Sequence, residues 1–236
     1  MTIRSQILIN LTQPGVVGTV HSLASMAAAR NLKHSQCDWL ELRIDNFFPE
    51  TADLLRLAPR LPCPRIVTIR HPSEGGASPR ITTRQRKALY GDFMGVAGLV
   101  DIELSRAKEM KDVIRQARDT GVGVILSHHN FRLTPQARKL GDLACRALES
   151  GADVFKVATM ANGVRDLASL IEFLANEKSR LPLSVMGMGM FGKISRLVLA
   201  RAGSCLNYGY LGAPNASGQW PVALLKARIA ELSQQS

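Results

Sequence analysis

Residues 122–158, VGVILSHHNFRLTPQARKLGDLACRALESGADVFKVA, hold the pattern that decides the fold. The apolar, β-branched runs at 122–128 and 153–158 predict two buried strands, and the helical apolar spacing across 135–150 predicts a helix between them. Consecutive strands that are joined by a helix lie parallel in one sheet. The segment therefore predicts a strand–helix–strand unit of an α/β protein.

The same alternation runs along the rest of the chain. Strand patterns recur at 6–11, 38–44, 65–70, 97–103, 182–187 and 204–208, and helical patterns at 23–32, 84–94, 107–118, 164–178 and 221–232. Eight strands in 236 residues without a Pro/Gly/Ser-rich linker predict a single-domain (β/α)8 TIM barrel over residues 1–236. An open doubly wound sheet is the competing architecture, but residues 11–18, LTQPGVVG, lack the G-x-G-x-x-G turn that such a sheet would place after its first strand.

The chain is strongly basic, with a formal net charge of +11 and a pI near 10.0. A basic surface can bind nucleic acid, but the lysines and arginines are scattered over the helical segments, only 5% of the residues are aromatic, and no nucleic-acid motif is present. We therefore predict no nucleic-acid partner and attribute the charge to the attraction of a small anionic substrate.

The four cysteines show neither a C-x-x-C pair nor metal-ligand spacing, which predicts reduced thiols and no metal site. The opening residues hold too short an apolar stretch for a signal peptide, and no run of about eighteen apolar residues occurs elsewhere. These features predict a cytoplasmic protein without a membrane partner.

Lys156 lies inside one of the apolar runs, VFKVA at 154–158. A buried ammonium group is costly, and desolvation or nearby cations favour the neutral amine that attacks a ketone to form a Schiff base. On the strand alone, a lysine that packs its stem in the core and extends its head to solvent fits equally well. Polar side chains at the carboxyl ends of other strand patterns favour the chemical interpretation; they are Glu41, Arg43, Arg70, Glu74, His128 and His129.

These residues belong to separated motifs that run in one order along the chain: ELR at 41–43, RHPSEGG at 70–76, SHHNF at 127–131, FKVA at 155–158, GKISR at 192–196 and SGQ at 217–219. In this order they resemble the type I 3-dehydroquinate dehydratases. The resemblance implies a (β/α)8 barrel, a homodimer, and catalysis without a metal or organic cofactor. It also implies a hydro-lyase of the shikimate pathway, and hence of aromatic amino acid biosynthesis, that dehydrates 3-dehydroquinate to 3-dehydroshikimate through a lysine Schiff base.

By the same resemblance, three residues are implied as catalytic. Lys156 forms the imine with the substrate ketone, His129 is the general acid and base, and Glu74 orients that histidine. His128 is assigned a packing role, because neighbouring residues of a strand point to opposite faces and only one of the two histidines can face the site.

The resemblance also implies the substrate-binding residues. Arg196 clamps the substrate carboxylate, and Glu41 accepts hydrogen bonds from ring hydroxyls. The other implied contacts are Arg43, Arg70, Asn215, Gln219, Met186, Met188 and Tyr208, the last of which stands where the family has a phenylalanine.

Two further positions are open or depart from the family. The polar residue expected at the end of the first strand is either Asn10 or Thr12. Ser217 stands where the family more often has proline, which predicts a looser loop over the ligand and retained activity with weaker substrate binding.

The competing enzyme class is a class I aldolase, which uses a lysine imine in the same type of barrel but breaks a carbon–carbon bond. The His129–Glu74 pair and the arginines favour dehydration of a carboxylated ring. A non-catalytic metabolite sensor is disfavoured, because Lys156, His129 and Glu74 are all present.

Overall fold

The computed structural model describes residues 11, 13–77, 81–177, 181–214 and 216–233. In this part of the chain, eight parallel strands form one sheet and each strand is followed by an α-helix. The strands are β1 (Gly15–Val20), β2 (Trp39–Arg43), β3 (Arg65–Thr68), β4 (Leu99–Glu103), β5 (Gly123–Asn130), β6 (Val154–Met160), β7 (Leu183–Met188) and β8 (Leu206–Tyr210). The helices are α1 (Leu23–Arg30), α2 (Ala52–Leu57), α3 (Thr83–Phe93), α4 (Lys111–Asp119), α5 (Ala137–Glu149), α6 (Val164–Glu177), α7 (Gly192–Arg201) and α8 (Val222–Ser233).

The sheet follows the order β7-β6-β5-β4-β3-β2-β1-β8, so that β1 to β7 pair with their neighbours in sequence and β1 also pairs with β8. The outer edges of β7 and β8 meet through hydrogen bonds near the start of both strands. The Cys205 N–H donates to the Leu183 carbonyl at 2.8 Å, and the Ser184 hydroxyl donates to the Leu206 carbonyl at 2.7 Å. These contacts bring the sheet into a nearly closed (β/α)8 barrel, which confirms the predicted fold.

The first strand of the barrel is Gly15–Val20, and its predicted position at 6–11 is wrong. All of 6–11 except Leu11 lies outside the described residues. The glycines at 15 and 18 weaken the strand signal of this segment. Gly18 is nevertheless closely packed, because a Cβ atom there would lie 3.0 Å from Leu211 Cδ1 and 3.3 Å from Cys37 Sγ, and these side chains would have to shift.

The outer helices pack against the sheet through regularly spaced apolar residues, and the same spacing predicts most of these helices. In α5, the buried residues Leu140, Leu143, Ala144 and Ala147 recur every three or four positions and join the core between sheet and helices. Helix α7 is not predicted, because polar Ser195 and Arg196 lie on its buried side and interrupt the apolar pattern. No described helix has the length and apolar character that a membrane span requires.

Alternate residues of each strand face the interior of the barrel. In β6, Val154, Lys156 and Ala158 face inward, whereas Phe155 and Val157 pack against the helices. The lower interior is an apolar plug that includes Val17, Trp39, Ile66, Leu99, Ile125, Val154 and Leu206. The inward positions above this plug are mostly polar, so the fold gathers charged side chains at the carboxyl ends of the strands.

Candidate active site

A cavity of about 200 Å³ opens at the carboxyl ends of the strands. Every predicted site residue that the structure describes lines it: Glu41, Arg43, Arg70, Glu74, His129, Lys156, Met186, Met188, Arg196, Tyr208 and Gln219. Asn215, Asn10 and Thr12 lie outside the described residues. β1 contributes Thr19 to the cavity lining. The sequence patterns did not predict this residue, because they place the first strand at 6–11.

Lys156 is buried at the centre of this cavity, and its side chain does not extend to solvent. Its Nζ atom lies 2.9 Å from Asp101 Oδ2 and 3.4 Å from Glu41 Oε1, and 3.8 Å from the centroid of the Tyr208 ring. Carboxylates attract a cation by ion pairing, and the face of an aromatic ring attracts it by a cation–π interaction. The groups in contact with Nζ are therefore two carboxylates and an aromatic ring, rather than the cations invoked from the sequence.

Asp101 joins Lys156 to Arg70 beneath the cavity. It accepts hydrogen bonds from Arg70 Nη2 at 2.8 Å, from the Ser127 hydroxyl at 2.6 Å and from Lys156. Burial alone would raise the pKa of Asp101, but Arg70 and Lys156 hold it far below its ordinary value. Arg70 is further paired with Glu103, at 3.4 Å. These buried ion pairs fix the direction from which the lysine amine enters the cavity.

Asp101, Glu103 and Ser127 are buried site residues that the sequence patterns did not predict. Asp101 and Glu103 lie in the apolar run Leu99–Glu103 and repeat every second residue. Both are charged residues within a buried strand, which is the same signal that Lys156 carries, and this signal could have identified them.

Glu41 is held by neighbouring strands so that it faces Lys156. Thr19 donates to its Oε2 at 3.3 Å and Thr68 donates to its Oε1 at 3.1 Å. Burial would raise the pKa of Glu41, but Lys156 and Arg43 lower it overall. Glu41 is thus an anionic acceptor beside the amine.

His129 and Glu74 form a hydrogen-bonded pair on the side of the cavity formed by β5. Glu74 Oε2 lies 3.0 Å from His129 Nδ1 and accepts the His129 backbone N–H at 3.1 Å, while Ser105 donates to its Oε1 at 2.7 Å. With Nδ1–H directed at the carboxylate, Nε2 is the nitrogen left for a ligand. Ser127 and His129 face the site, and the intervening His128 lies outside the cavity lining and near Arg146 of α5.

The protonation states of this pair suit proton abstraction. Burial and the Arg70 guanidinium lower the pKa of His129 to about 4, although Glu74 opposes them. Burial would raise the pKa of Glu74, but its hydrogen bonds from His129 and Ser105 lower it. At neutral pH the imidazole is therefore a neutral base and Glu74 an anion.

The three arginines of the cavity differ in how their charge is balanced. Arg43 makes two hydrogen bonds to Asp45, at 3.0 and 2.8 Å, rather than pairing with Glu41, and Arg70 is balanced by the carboxylates beneath Lys156. Arg196, by contrast, donates to four backbone carbonyls in the described part of the chain, those of Tyr208, Gly187, Gly192 and Gly218. Burial lowers the pKa of Arg196 to about 10. An anionic ligand would therefore find its best partner in Arg196.

The loop between β8 and α8 covers one side of the cavity and is tied to the start of α7. Ser217 Oγ accepts the Gly189 N–H at 3.0 Å, Gly218 O accepts from Arg196 at 2.7 Å, and the Trp220 indole donates to Lys193 O at 2.9 Å. Gln219, which is buried, accepts the Ala216 N–H at 3.3 Å. Ser217 therefore makes a side-chain hydrogen bond that a proline could not make. A proline would instead restrict the backbone of the loop.

Removing this hydrogen bond is expected to weaken substrate binding. We expect Ser217→Ala to raise KM about threefold, from loss of one exposed hydrogen bond, with kcat nearly unchanged. Steady-state kinetics measure both constants, and Ser217→Thr, which keeps the hydroxyl, is the matched control. Equal KM values for the wild type and the alanine variant would show that the hydrogen bond does not order the loop.

The fold and the cavity define a class: a (β/α)8-barrel protein whose cavity, at the carboxyl ends of the strands, holds a buried lysine, a histidine–carboxylate pair and three arginines. A family model described as type I 3-dehydroquinase matches residues 16–235. The chain therefore belongs to the type I 3-dehydroquinase family.

Individual relatives agree with this assignment. The 3-dehydroquinate dehydratase of Hydrogenobaculum sp. (strain Y04AAS1) is 34% identical over 192 residues, which cover 80% of this chain and 85% of the relative. A type I 3-dehydroquinate dehydratase from Clostridium difficile, solved with covalent modified comenic acid, superposes with a TM-score of 0.84 at 27% identity, covering 95% of this chain and 94% of that chain. The 3-dehydroquinate dehydratase of Geobacillus kaustophilus HTA426 gives a TM-score of 0.85 at 27% identity, with coverages of 95% and 93%.

Proposed function

We propose that this chain is a hydro-lyase that converts 3-dehydroquinate to 3-dehydroshikimate in the shikimate pathway, through a Schiff base on Lys156. One cavity carries both functional groups: the Lys156 amine and the His129–Glu74 pair line the same small space at the open end of the barrel. A lysine iminium acts as an electron sink, and a neutral imidazole beside it transfers protons.

Imine formation in this site conserves charge. The Lys156 ammonium ion and the C3 ketone give an iminium ion and one water molecule, so that nitrogen loses two protons to the departing oxygen and stays cationic. His129 holds the first of these protons while the neutral amine attacks the carbonyl carbon, and returns it when the carbinolamine hydroxyl leaves. Asp101 and Glu41 consequently face a cation before and after the step.

Dehydration then uses His129 a second time. The iminium acidifies the adjacent C2 carbon, and His129 removes a proton from it through Nε2 to leave an enamine. The enamine expels the C1 hydroxyl, which takes the proton from the imidazolium ring and departs as water. Hydrolysis of the conjugated iminium frees 3-dehydroshikimate and restores Lys156.

The orientation of the substrate is inferred from the three arginines, which differ in whether a carboxylate of the protein already balances their charge. We assign the substrate carboxylate to Arg196, because Arg43 and Arg70 already face carboxylates of the protein. Glu41 loses lysine N–H donors when the iminium forms and can then accept hydrogen bonds from ring hydroxyls. Asn215 and Gln219 would add polar contacts from the covering loop, and Met188 and Tyr208 would form the apolar walls.

Incubation with 3-dehydroquinate tests this function directly. The product is a conjugated enone acid, so ultraviolet absorbance is expected to rise, and borohydride added during turnover is expected to leave a stable mass adduct on Lys156. Unchanged absorbance would contradict the dehydratase and reopen the aldolase. An adduct on another residue would contradict the mechanism.

Residues 1–236 are proposed to form one catalytic domain that acts as a homodimer in the cytoplasm. The family resemblance supports the dimer, and the reduced, buried thiols of Cys37, Cys63 and Cys205 suit a reducing compartment. Light scattering tests the dimer, and the mass of a single 25.7 kDa chain would contradict it.

A further inference from the structure

Phe131 is a half-exposed aromatic residue at the edge of the cavity. It follows β5 directly, lines the cavity, and has 46% of its surface exposed. Its ring is stacked on the His129 imidazole, with centroids 6.3 Å apart and planes inclined by 13°. Burial in the core does not explain a large apolar ring in this position.

The chain provides a specific seat for this ring. Gly75, in the left-handed region with φ of +85°, lies under Phe131, and a Cβ atom at Gly75 would be 3.0 Å from Phe131 Cζ. Gly75 directly follows Glu74, and its carbonyl accepts Arg43 Nη2 at 3.0 Å. One short segment thus supplies the carboxylate at the edge of the imidazole and the support for the ring that covers it.

We propose that Phe131 is a positioning residue for the imidazole: it sets the plane of the His129 ring and keeps bulk water from the face it covers. This inference rests on the proposed role of His129 in proton transfer. A stacked ring restricts rotation of the imidazole about its side-chain bonds, while the Glu74 hydrogen bond fixes which edge faces the substrate.

Charged groups face His129 from the segment after β3, from β4 and from β6. Arg70 of that segment and Lys156 of β6 disfavour a second positive charge, whereas Glu74 of the same segment and Asp101 of β4 favour it. Burial is the largest influence on the His129 pKa, and it lowers that pKa. Because Phe131 carries no charge, its removal would act on His129 by admitting water and loosening the ring.

Titration of His129 by NMR tests this role without substrate. In Phe131→Ala, water reaches the imidazole, so the His129 titration midpoint is expected to rise by about 1 pH unit. The low-pH limb of kcat/KM is expected to move with it. The signal that disappears in His129→Gln identifies this residue among the five histidines.

Two matched variants separate positioning from general damage. Phe131→Leu keeps apolar cover and is expected to hold the midpoint close to that of the wild type. Leu133→Ala removes another exposed apolar side chain from the same segment, outside the cavity lining, and is expected to change neither the midpoint nor kcat/KM. If Phe131→Ala does not fold, Phe131→Val carries the comparison, with a smaller upward shift expected.

A folded Ala or Val variant with an unchanged midpoint, whose kcat/KM falls equally at every pH, would overturn the positioning role. A wild-type protein that does not dehydrate 3-dehydroquinate would refute the proposed function but leave the NMR result intact. The two failures are therefore distinguishable.

Discussion

Lys156→Arg is expected to lower kcat with 3-dehydroquinate by about 10⁵-fold, because a guanidinium cannot form the imine on which the later steps depend. The arginine keeps the positive charge that Asp101 and Glu41 require. Folding should therefore survive, and the lost activity can be assigned to chemistry. Single-turnover assays and mass spectrometry after borohydride treatment measure the two effects, and no substrate adduct is expected.

Lys156→Met separates charge from chemistry at the same position. It too cannot form an imine, but it removes one of the cations that balance the buried carboxylates of Asp101 and Glu41, so the free energy of unfolding is expected to fall by about 3 kcal/mol. Denaturant unfolding measures this loss. Lys193→Met, which changes an exposed lysine on α7, is the control and should retain the borohydride adduct. Retention of an adduct in Lys156→Arg would place the reactive amine elsewhere.

His129→Gln is expected to lower kcat by about 10³-fold, the loss of one general acid and base. Glutamine can keep a polar contact with Glu74, but it cannot take a proton from carbon. Because Lys156 remains, the imine should still form, although more slowly without His129 to hold the first proton, and borohydride should trap it. The combination of slow turnover and a persistent adduct distinguishes this variant from Lys156→Arg.

His128→Gln is the matched control for His129→Gln. His128 belongs to the same strand but lies outside the cavity lining, so kcat is expected to stay within about threefold of the wild type. If His128→Gln lost as much activity as His129→Gln, the assignment of the acid and base to the second histidine would be wrong.

Much of the fold is predictable from local pattern. The β6 segment predicts its buried strand, because a short run of apolar, β-branched residues is a local property. Sequence patterns fail to predict a strand or helix where tertiary packing overrides the intrinsic propensity of its residues. The glycines of β1 weaken its strand pattern, and the buried polar residues of α7 interrupt its helical pattern. Gly18 packs against Leu211, and Arg196 donates to the Tyr208 carbonyl, and both contacts are made with residues distant in sequence.

The sequence by itself determined the alternation of strands and helices, the family, and the list of side chains at the carboxyl ends of the strands, since all of these depend on order and spacing along the chain. Only the tertiary structure decided the partners of those side chains. Glu41 reaches Lys156 across 115 positions and Asp101 across 55, and Arg196 is left without a carboxylate among its hydrogen-bond partners in the described residues. Closure of the barrel sets those distances, and the hydrogen-bond partners of the Lys156 amine follow from them.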